Sequence, residues 1–227
     1  MKEYTLLANW KSWGTSSQIR QWTTAFLSKY RSQPNINVIL LPSLLHVGLM
    51  TDLLRDVEGV AIGAQELSSF SGENCSGEVT IDLLQEYCHY YLIGHSFQRK
   101  HRDSDGAKVV RQGALISEYR GTPILCASNT EEIPDGYQGL SVFEPIDAIS
   151  DGSGYGETAE IDDVTAACVR FRAKTGNKVF YGGSVNEHTI TQLLKSGADG
   201  FLVGGASRDP ERFIKIFALT AQERVVG

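Results

Sequence analysis

The sequence predicts an α/β fold, a single-domain (β/α)8 barrel that spans residues 1–227. Three observations lead to this prediction. Eight short apolar runs alternate with helical patterns, an alternation that is typical of all-parallel α/β folds. The length suits one domain, because α/β barrels of about 200–250 residues are commonly undivided. The last two apolar runs each end in a glycine pair, and the loops after strands 7 and 8 of such barrels frequently bind phosphate.

The eight predicted strands are short apolar runs, several of them rich in the β-branched and aromatic side chains that favour strands. In chain order they are Tyr4–Ala8, Val38–Leu41, Val60–Ala64, Tyr90–Gly94, Pro123–Ala127, Leu140–Phe143, Val179–Tyr181 and Gly200–Val203.

Helical signals separate most of the strands. In the first helix, Thr15 and Gln18 form a capping-box pattern ahead of an apolar stripe. In the last helix, Asp209 is the predicted cap and Pro210 takes the first helical position. Between these two, helices are predicted to begin near Asp103, near Asp163 and at an Asn186 cap, and to end before Gly121, at Gly176 and at Gly197.

Two connections depart from this regular pattern. Residues 128–139, between the fifth and sixth strands, are too short and too rich in proline and glycine for more than one or two helical turns. Residues 66–78, after the third strand, form a long polar loop. A long loop in a compact domain is usually a lid, a binding loop or an interface arm.

Composition excludes several classes of partner. The formal net charge is -6 with interspersed signs, whereas nucleic acids and anionic membranes select basic patches. The chain has no apolar run long enough to span a bilayer and no signal-peptide pattern at its start, so we expect a cytoplasmic protein. The four cysteines are widely scattered without metal-ligand spacing, which predicts free thiols and no metal site.

The glycine pairs predict an anion site. Gly182-Gly183 and Gly204-Gly205 each follow a predicted strand and precede a helix. Glycine leaves the backbone N–H groups of such a turn open to an anion. Two pairs on successive strand ends can therefore enclose one phosphate group.

Polar residues at the other strand ends complete a candidate catalytic set, because all carboxyl ends of a parallel barrel face one mouth. These residues are Asn9, Lys11, His95 and Glu144. A carboxylate can remove a proton beside a carbonyl, and preorganised donors then meet the charge that develops on the carbonyl oxygen. The set predicts proton abstraction on a small phosphorylated substrate.

The motifs ANWK, IGHS, VFEP, YGGSV and DGFLVGGAS, in this order and at these intervals, resemble the triosephosphate isomerase family along essentially the whole chain. That family is itself the standard example of a Glu base beside a His that is kept neutral. The resemblance implies a TIM barrel that acts without a metal or organic cofactor. It implies Lys11, His95 and Glu144 as catalytic residues, and substrate contacts from Asn9, Lys11, Ile149, Ser150, Gly183, Ser184, Gly204 and Gly205.

The resemblance also implies self-association. The stretch GENCSGEV resembles the interdigitating interface loop of the family, which predicts a homodimer or homotetramer through the loop around Ser68–Val79. The short length and the abbreviated fifth helix resemble the compact archaeal branch.

Three positions depart from the family pattern. Phe97 stands where the family has a Glu that hydrogen-bonds the catalytic lysine. In the lid segment, Ser150 replaces a Gly and Asp151 adds a negative charge near the expected phosphate. Ser76 replaces a Thr in the interface loop and keeps the hydroxyl.

These departures leave three hypotheses open. The first is an isomerase that interconverts dihydroxyacetone phosphate and glyceraldehyde 3-phosphate through an enediolate. The second is a divergent paralogue that binds a small phosphorylated ligand with weak or no turnover, as Phe97 and Asp151 suggest. The third is another phosphosugar isomerase or lyase on the same barrel.

Overall fold

The structure, a computed structural model, describes residues 2–102, 105–148 and 159–223. Eight parallel strands pair in sequence order and close into a barrel. They are β1 (Tyr4–Asn9), β2 (Ile36–Leu41), β3 (Val60–Ala64), β4 (Tyr90–Ile93), β5 (Thr122–Ala127), β6 (Leu140–Phe143), β7 (Val179–Tyr181) and β8 (Gly200–Val203). The predicted (β/α)8 barrel is confirmed, and every predicted strand is present to within two residues at either end. The extent of the domain, residues 1–227, stays a prediction.

The described helices lie between the strands and after the last one. They are α1 (Ser16–Lys29), α2 (Val47–Leu54), α3 (Ile81–Leu84), α4 (Ser96–His101), α5 (Gly106–Glu118), α6 (Ile161–Thr175), α7 (Ile190–Leu193) and α8 (Pro210–Ala221). Only a short 3₁₀ helix, Thr130–Glu132, lies between β5 and β6, as predicted from the short connection. Among the described helices, none has the length and apolarity that crossing a membrane requires.

The predicted caps are confirmed at three helices. Thr15 and Gln18 form the capping box of α1, and Asp209 accepts backbone N–H bonds ahead of Pro210 in α8. Gly176 ends α6 with a left-handed backbone, φ 69°, the conformation that glycine adopts without steric cost. Asp103, near which a helix is predicted to begin, lies outside the described residues, and α5 is capped by Asp105.

The prediction that Asn186 caps a helix is wrong. Its Oδ1 accepts hydrogen bonds from the N–H groups of His188 and Thr189, at 2.8 and 3.2 Å. These bonds form a turn over residues 187–189, and the Asn186 carbonyl accepts from the N–H of Ile190 at 3.0 Å. The helix α7 therefore begins only at Ile190.

The core has two layers because alternate strand residues face opposite sides of the sheet. One cluster fills the barrel interior and consists of Leu7, Ile39, Leu41, Leu92, Ile124, Cys126, Val142, Phe180 and Leu202. The larger cluster lies between the strands and the surrounding helices. It includes the apolar stripe of α1, namely Ile19, Trp22, Phe26 and Tyr30. Burial on both faces explains why the strands are almost continuously apolar.

The barrel closes where β8 pairs with β1. At this contact a Cβ on Gly200 would lie 2.1 Å from the carbonyl oxygen of Thr5 and 2.9 Å from the ring of Phe180. Only glycine allows the two strands to approach this closely, so Gly200 is required for closure.

A buried polar pair joins the loop after β3 to α5. The Nε2 of Gln112, a fully buried residue, donates hydrogen bonds to Oε1 of Glu66 and to the Leu67 carbonyl at 2.7 Å. The Oε2 of Glu66 and the Oε1 of Gln112 are both buried without a partner. Burial raises the pKa of Glu66, opposed mainly by the nearby Lys108, because desolvation disfavours the carboxylate.

We predict that this carboxyl makes stability depend on pH. Because Glu66 holds its proton more tightly in the folded state, its protonation stabilises the fold. This stabilisation is complete below the unfolded-state pKa of 4.5 and is lost as the pH rises through the folded-state pKa. In the E66Q variant, the free energy of unfolding should lose this dependence. The free energy of unfolding of E66Q minus that of the unmodified chain should therefore increase above pH 4.5, by at most about 1.4 kcal/mol per pH unit.

Urea unfolding between pH 4 and pH 8 measures this difference. The exposed Glu58 supplies a control, E58Q, which should follow the unmodified chain at each pH. An E66Q advantage that stays constant across the range would contradict the prediction.

Candidate functional site

The predicted site residues that the structure describes lie at the carboxyl ends of the barrel strands. Asn9 is the last residue of β1 and Lys11 follows it. His95 comes after β4, and Glu144 comes directly after β6. The glycine pairs follow β7 and β8. Since the strands are parallel, all these ends open at one mouth.

The structure brings His95 and Glu144 into direct contact. The Nε2 of His95 lies 3.5 Å from Oε1 of Glu144, and the two residues are only 8% and 2% exposed. The other carboxylate oxygen of Glu144 accepts a long hydrogen bond, 3.5 Å, from the backbone N–H of Ser96. The strand ends thus place an acid–base pair where water has little access.

The backbone after β4 sets the tautomer of His95. The N–H of Phe97 donates to Nδ1 of His95 at 3.2 Å, so Nδ1 is an acceptor. This hydrogen bond assigns the ring proton of the neutral imidazole to Nε2, the atom that faces Glu144. An Nε2–H group in this position can donate to a carbonyl oxygen bound at the mouth.

The side chain of Phe97 takes no part in this arrangement. It is 56% exposed, and its ring packs against His101 with 4.8 Å between the ring centroids. The apolar ring therefore lies on the exposed surface of α4. What His95 receives from residue 97 is a backbone hydrogen bond, which any residue except proline supplies.

Lys11 lies in the electrostatic field of Glu144. Its pKa is lowered mainly by burial, while the Glu144 carboxylate acts in the opposite direction by favouring the charged form. Smaller effects come from Arg208, which lowers the pKa, and Cys126, which raises it. The Glu144 carboxylate therefore favours the charged form of Lys11 without forming an ion pair with it in the described structure.

The backbone of Lys11 is in the left-handed region, with φ 55°. For a residue with a Cβ this conformation costs about 1–2 kcal/mol. Its own N–H donates to Oδ1 of Asn9 at 3.0 Å, and its carbonyl accepts from Nε2 of Gln65 at 2.9 Å. Strained backbone at such a position persists only where neighbouring contacts fix it.

The glycine pairs differ in their surroundings. A Cβ on Gly204 or Gly205 would have no described atom within 4 Å, so the loop after β8 faces open space. A Cβ on Gly183 would lie 2.4 Å from the Tyr181 hydroxyl and 2.9 Å from Cβ of Ala148. The pair Gly204-Gly205 therefore leaves room for a ligand, whereas Gly183 permits close packing of the β7 loop.

Both described ends of the lid segment contact the β7 end. Ser184, whose backbone is left-handed at φ 47°, donates from Oγ to the carbonyl of Ala148 at 3.1 Å. The N–H of Ala159 donates to the Tyr181 hydroxyl at 3.2 Å. Ile149, Ser150 and Asp151, which the sequence places in the lid, lie outside the described residues.

The predicted interface loop is held at its base. The N–H of Ser68 donates to the Val79 carbonyl at 2.8 Å. Within the loop, the N–H of Gly72 donates to Asp82 at 2.8 Å, and the hydroxyl of Tyr119 donates to the same carboxylate at 2.6 Å. These bonds lower the pKa of Asp82.

Three residues that support the site were missed by sequence reasoning. Gln65 bonds the Lys11 carbonyl, Arg208 bonds the Trp10 carbonyl at 3.1 Å, and the Tyr181 hydroxyl bonds Ala159. Gln65 and Tyr181 lie at or just after a strand end, a signal that could have marked them, whereas Arg208 ends the 3₁₀ helix Gly205–Arg208. Their roles depend on partners distant in sequence, which no local pattern reveals.

The four cysteines are free, as predicted. In the part of the chain that the structure describes, no three His, Cys, Asp or Glu side chains group as metal ligands.

Comparison with known proteins agrees with the geometry. The family model described as Triosephosphate isomerase matches residues 4–142 and 138–220. A protein named Triosephosphate isomerase from Synechococcus sp. strain CC9902 is 30% identical over 243 residues, covering 95% of this chain and 98% of the relative. Proteins of the same name from Gloeobacter violaceus and Mesomycoplasma hyopneumoniae strain 232 are 29% and 28% identical. These matches cover 95% and 93% of this chain, and 98% and 97% of the two relatives. The chain therefore belongs to the triosephosphate isomerase family.

Proposed function

We propose that this chain interconverts dihydroxyacetone phosphate and glyceraldehyde 3-phosphate by proton transfer through an enediolate. The observation that carries the proposal is the buried contact between Glu144 and Nε2 of His95, 3.5 Å long. It opens onto the same barrel mouth as the glycine loops of β7 and β8. Membership of the triosephosphate isomerase family supports the choice of substrate.

In the proposed reaction, Glu144 is the general base. Its carboxylate removes a proton from the carbon beside the substrate carbonyl and returns that proton to the neighbouring carbon. The hydroxyl proton moves between the two oxygens, so the product has the same atoms as the substrate. Burial of Glu144 supports this role, because a site with little access to water protects the reacting intermediate from side reactions.

His95 and Lys11 stabilise the enediolate in this proposal. The Nε2–H of His95 donates to the oxygen on which negative charge develops, and the Lys11 ammonium supplies a compensating charge. Donors that are already fixed before reaction stabilise the transition state most effectively. Two contacts support this, the Phe97 bond to His95 and the Asn9 bond to Lys11.

The substrate phosphate is assigned to the loops after β6, β7 and β8. We propose phosphate contacts from Gly183, Ser184, Gly204 and Gly205 and from Ile149 and Ser150 of the lid. Asn9 and Lys11 at β1 are proposed to contact the substrate. Support comes from the open space at Gly204 and Gly205. Binding energy at this non-reacting group can hold the lid closed and exclude water.

A second candidate is the paralogue that binds a phosphorylated ligand with little turnover, which Phe97 favours. The structure weakens this candidate at one point, since the backbone of Phe97 still supplies the hydrogen bond to His95. We propose the active isomerase as the first function and keep the paralogue as the alternative that experiment must separate.

We further propose a cytoplasmic homodimer or homotetramer that assembles through the loop Ser68–Val79, without nucleic acid or membrane partners. Support comes from large apolar side chains exposed on this loop and on the segments beside β2 and β4. These are Leu45, Phe70, Leu83 and Tyr87, exposed by 92%, 61%, 58% and 39%. Burial of such residues drives association.

The E144Q variant tests the reaction. Removal of the base should lower kcat by roughly 10²- to 10⁴-fold, measured in an isomerase assay coupled to a dehydrogenase. The matched control is E118Q, on the exposed end of α5, which should keep full activity. If the unmodified chain turned over no faster than E144Q, the proposed function would be wrong.

The F97E variant separates the two candidate functions. For an active isomerase, kcat/KM should change by no more than about fivefold, as expected for one exposed charge. F97L controls for loss of the ring. A barely active parent whose rate rises at least a hundredfold in F97E would favour the paralogue.

Sedimentation tests the proposed assembly. We expect the unmodified chain to sediment as a dimer or larger species, and F70E to shift toward monomer because a charge in an apolar interface is costly. V169E is the control, since Val169 is similarly exposed, 60%, on α6. An unmodified chain that sediments as a monomer would refute the proposed assembly.

A further inference from the structure

The loop after β8 is joined to the loop after β1 by a cluster of hydrogen bonds. The Ser207 carbonyl accepts from the indole nitrogens of Trp10 at 3.2 Å and Trp22 at 3.0 Å. The Ser207 hydroxyl bonds back to the carbonyls of Val203 and Gly204. Trp10 and Trp22 are almost completely buried. The segment Gly204–Arg208 is therefore rigidly attached to β1.

Arg208 extends this attachment to the peptide group before Lys11. Its Nε donates to the Trp10 carbonyl at 3.1 Å. The Lys11 N–H at the other end of the same peptide group donates to Asn9. Rotation about φ of Lys11 changes the orientation of this peptide plane relative to the lysine side chain. A plane held at both ends cannot turn freely.

The peptide group after Lys11 is also fixed. Its carbonyl accepts from Gln65, whose amide also donates to the Leu41 carbonyl at 2.8 Å. The peptide planes on both sides of Lys11 are thus hydrogen-bonded to residues that follow β3 and β8. Of these hydrogen bonds, only that of Arg208 comes from the segment that carries Gly204 and Gly205.

We propose that Arg208 is a positioning residue, which holds the Trp10–Lys11 peptide so that Lys11 keeps its left-handed backbone and its place beside the β8 glycine loop. The hydrogen bond from Arg208 to the Trp10 carbonyl then fixes the position of the Lys11 ammonium relative to a phosphate bound at Gly204 and Gly205. Arg208 forms no ion pair with any carboxylate that the structure describes, so its charge also adds to the positive field at Lys11. The kinetic part of this inference rests on the proposed isomerase activity.

Two variants separate position from charge. R208M removes both the Nε donor and the charge, whereas R208K keeps the charge but replaces the Nε–H of the planar guanidinium with a flexible ammonium one bond further along the side chain. If position matters, both variants should lose roughly 10- to 100-fold in kcat/KM, since small displacements of a catalytic group have effects of this size. If only charge matters, R208K should retain the rate, and the proposal would be overturned.

Ligand binding gives a readout that does not depend on turnover. Glycerol 3-phosphate, which has the phosphate but no carbonyl to isomerise, can be titrated by the fluorescence of the chain's three tryptophans or by calorimetry. We expect its Kd to rise roughly tenfold in both variants. R212M is the control, because Arg212 pairs with Glu187 at 2.8 Å. It should lower the unfolding midpoint without changing this Kd.

A crystal structure of R208M decides the geometric claim by itself. Lys11 should leave the left-handed region, with its side chain displaced from the mouth. A φ that remains near its present 55° would refute the proposal even if the kinetics changed. Absence of isomerase activity in the unmodified chain would refute the proposed function, while the binding and structural measurements would still decide the role of Arg208.

Discussion

Closure of β8 onto β1 is the constraint on which the rest of this structure depends. It brings residues separated by 197 positions in sequence into hydrogen-bond contact, as Trp10 and Ser207 illustrate. The close approach of the two strands requires a residue without a Cβ at Gly200. Once the barrel is closed, all eight carboxyl ends open at one mouth, and side chains from distant segments act on the same space.

The mouth separates its charges in a way that suits an anionic substrate. The buried Glu144 and His95 lie on the β4 and β6 ends, whereas Lys11 and Arg208 lie on the β1 and β8 side. A chain of net charge -6 thus has a local site with two cations. Local fields in a partly buried mouth act more strongly than the net charge of the molecule, because solvent screens them less.

Phe97 shows that a backbone contact of the site is made irrespective of the side chain at that position. The imidazole of His95 needs a donor at Nδ1, and the N–H of residue 97 supplies it at 3.2 Å. That bond depends on the turn into α4 and not on the side chain. The aromatic ring is accommodated on the surface against His101, where it leaves the contact between His95 and Glu144 intact.

The sequence by itself determined the strands, the caps of α1, α6 and α8, and the strand-end residues of the site. Apolar runs, Thr15, Gly176 and Asp209 act within a few residues of their own position. The sequence did not reveal α2, α3 or α4, which are short, and it assigned Asn186 to a helix cap where a turn forms. Only the tertiary structure decided that Gln65 and Arg208 hold Lys11, and that Phe97 points outward. These contacts join segments 54 and 198 residues apart, and barrel closure, a property of the whole chain, brings them together.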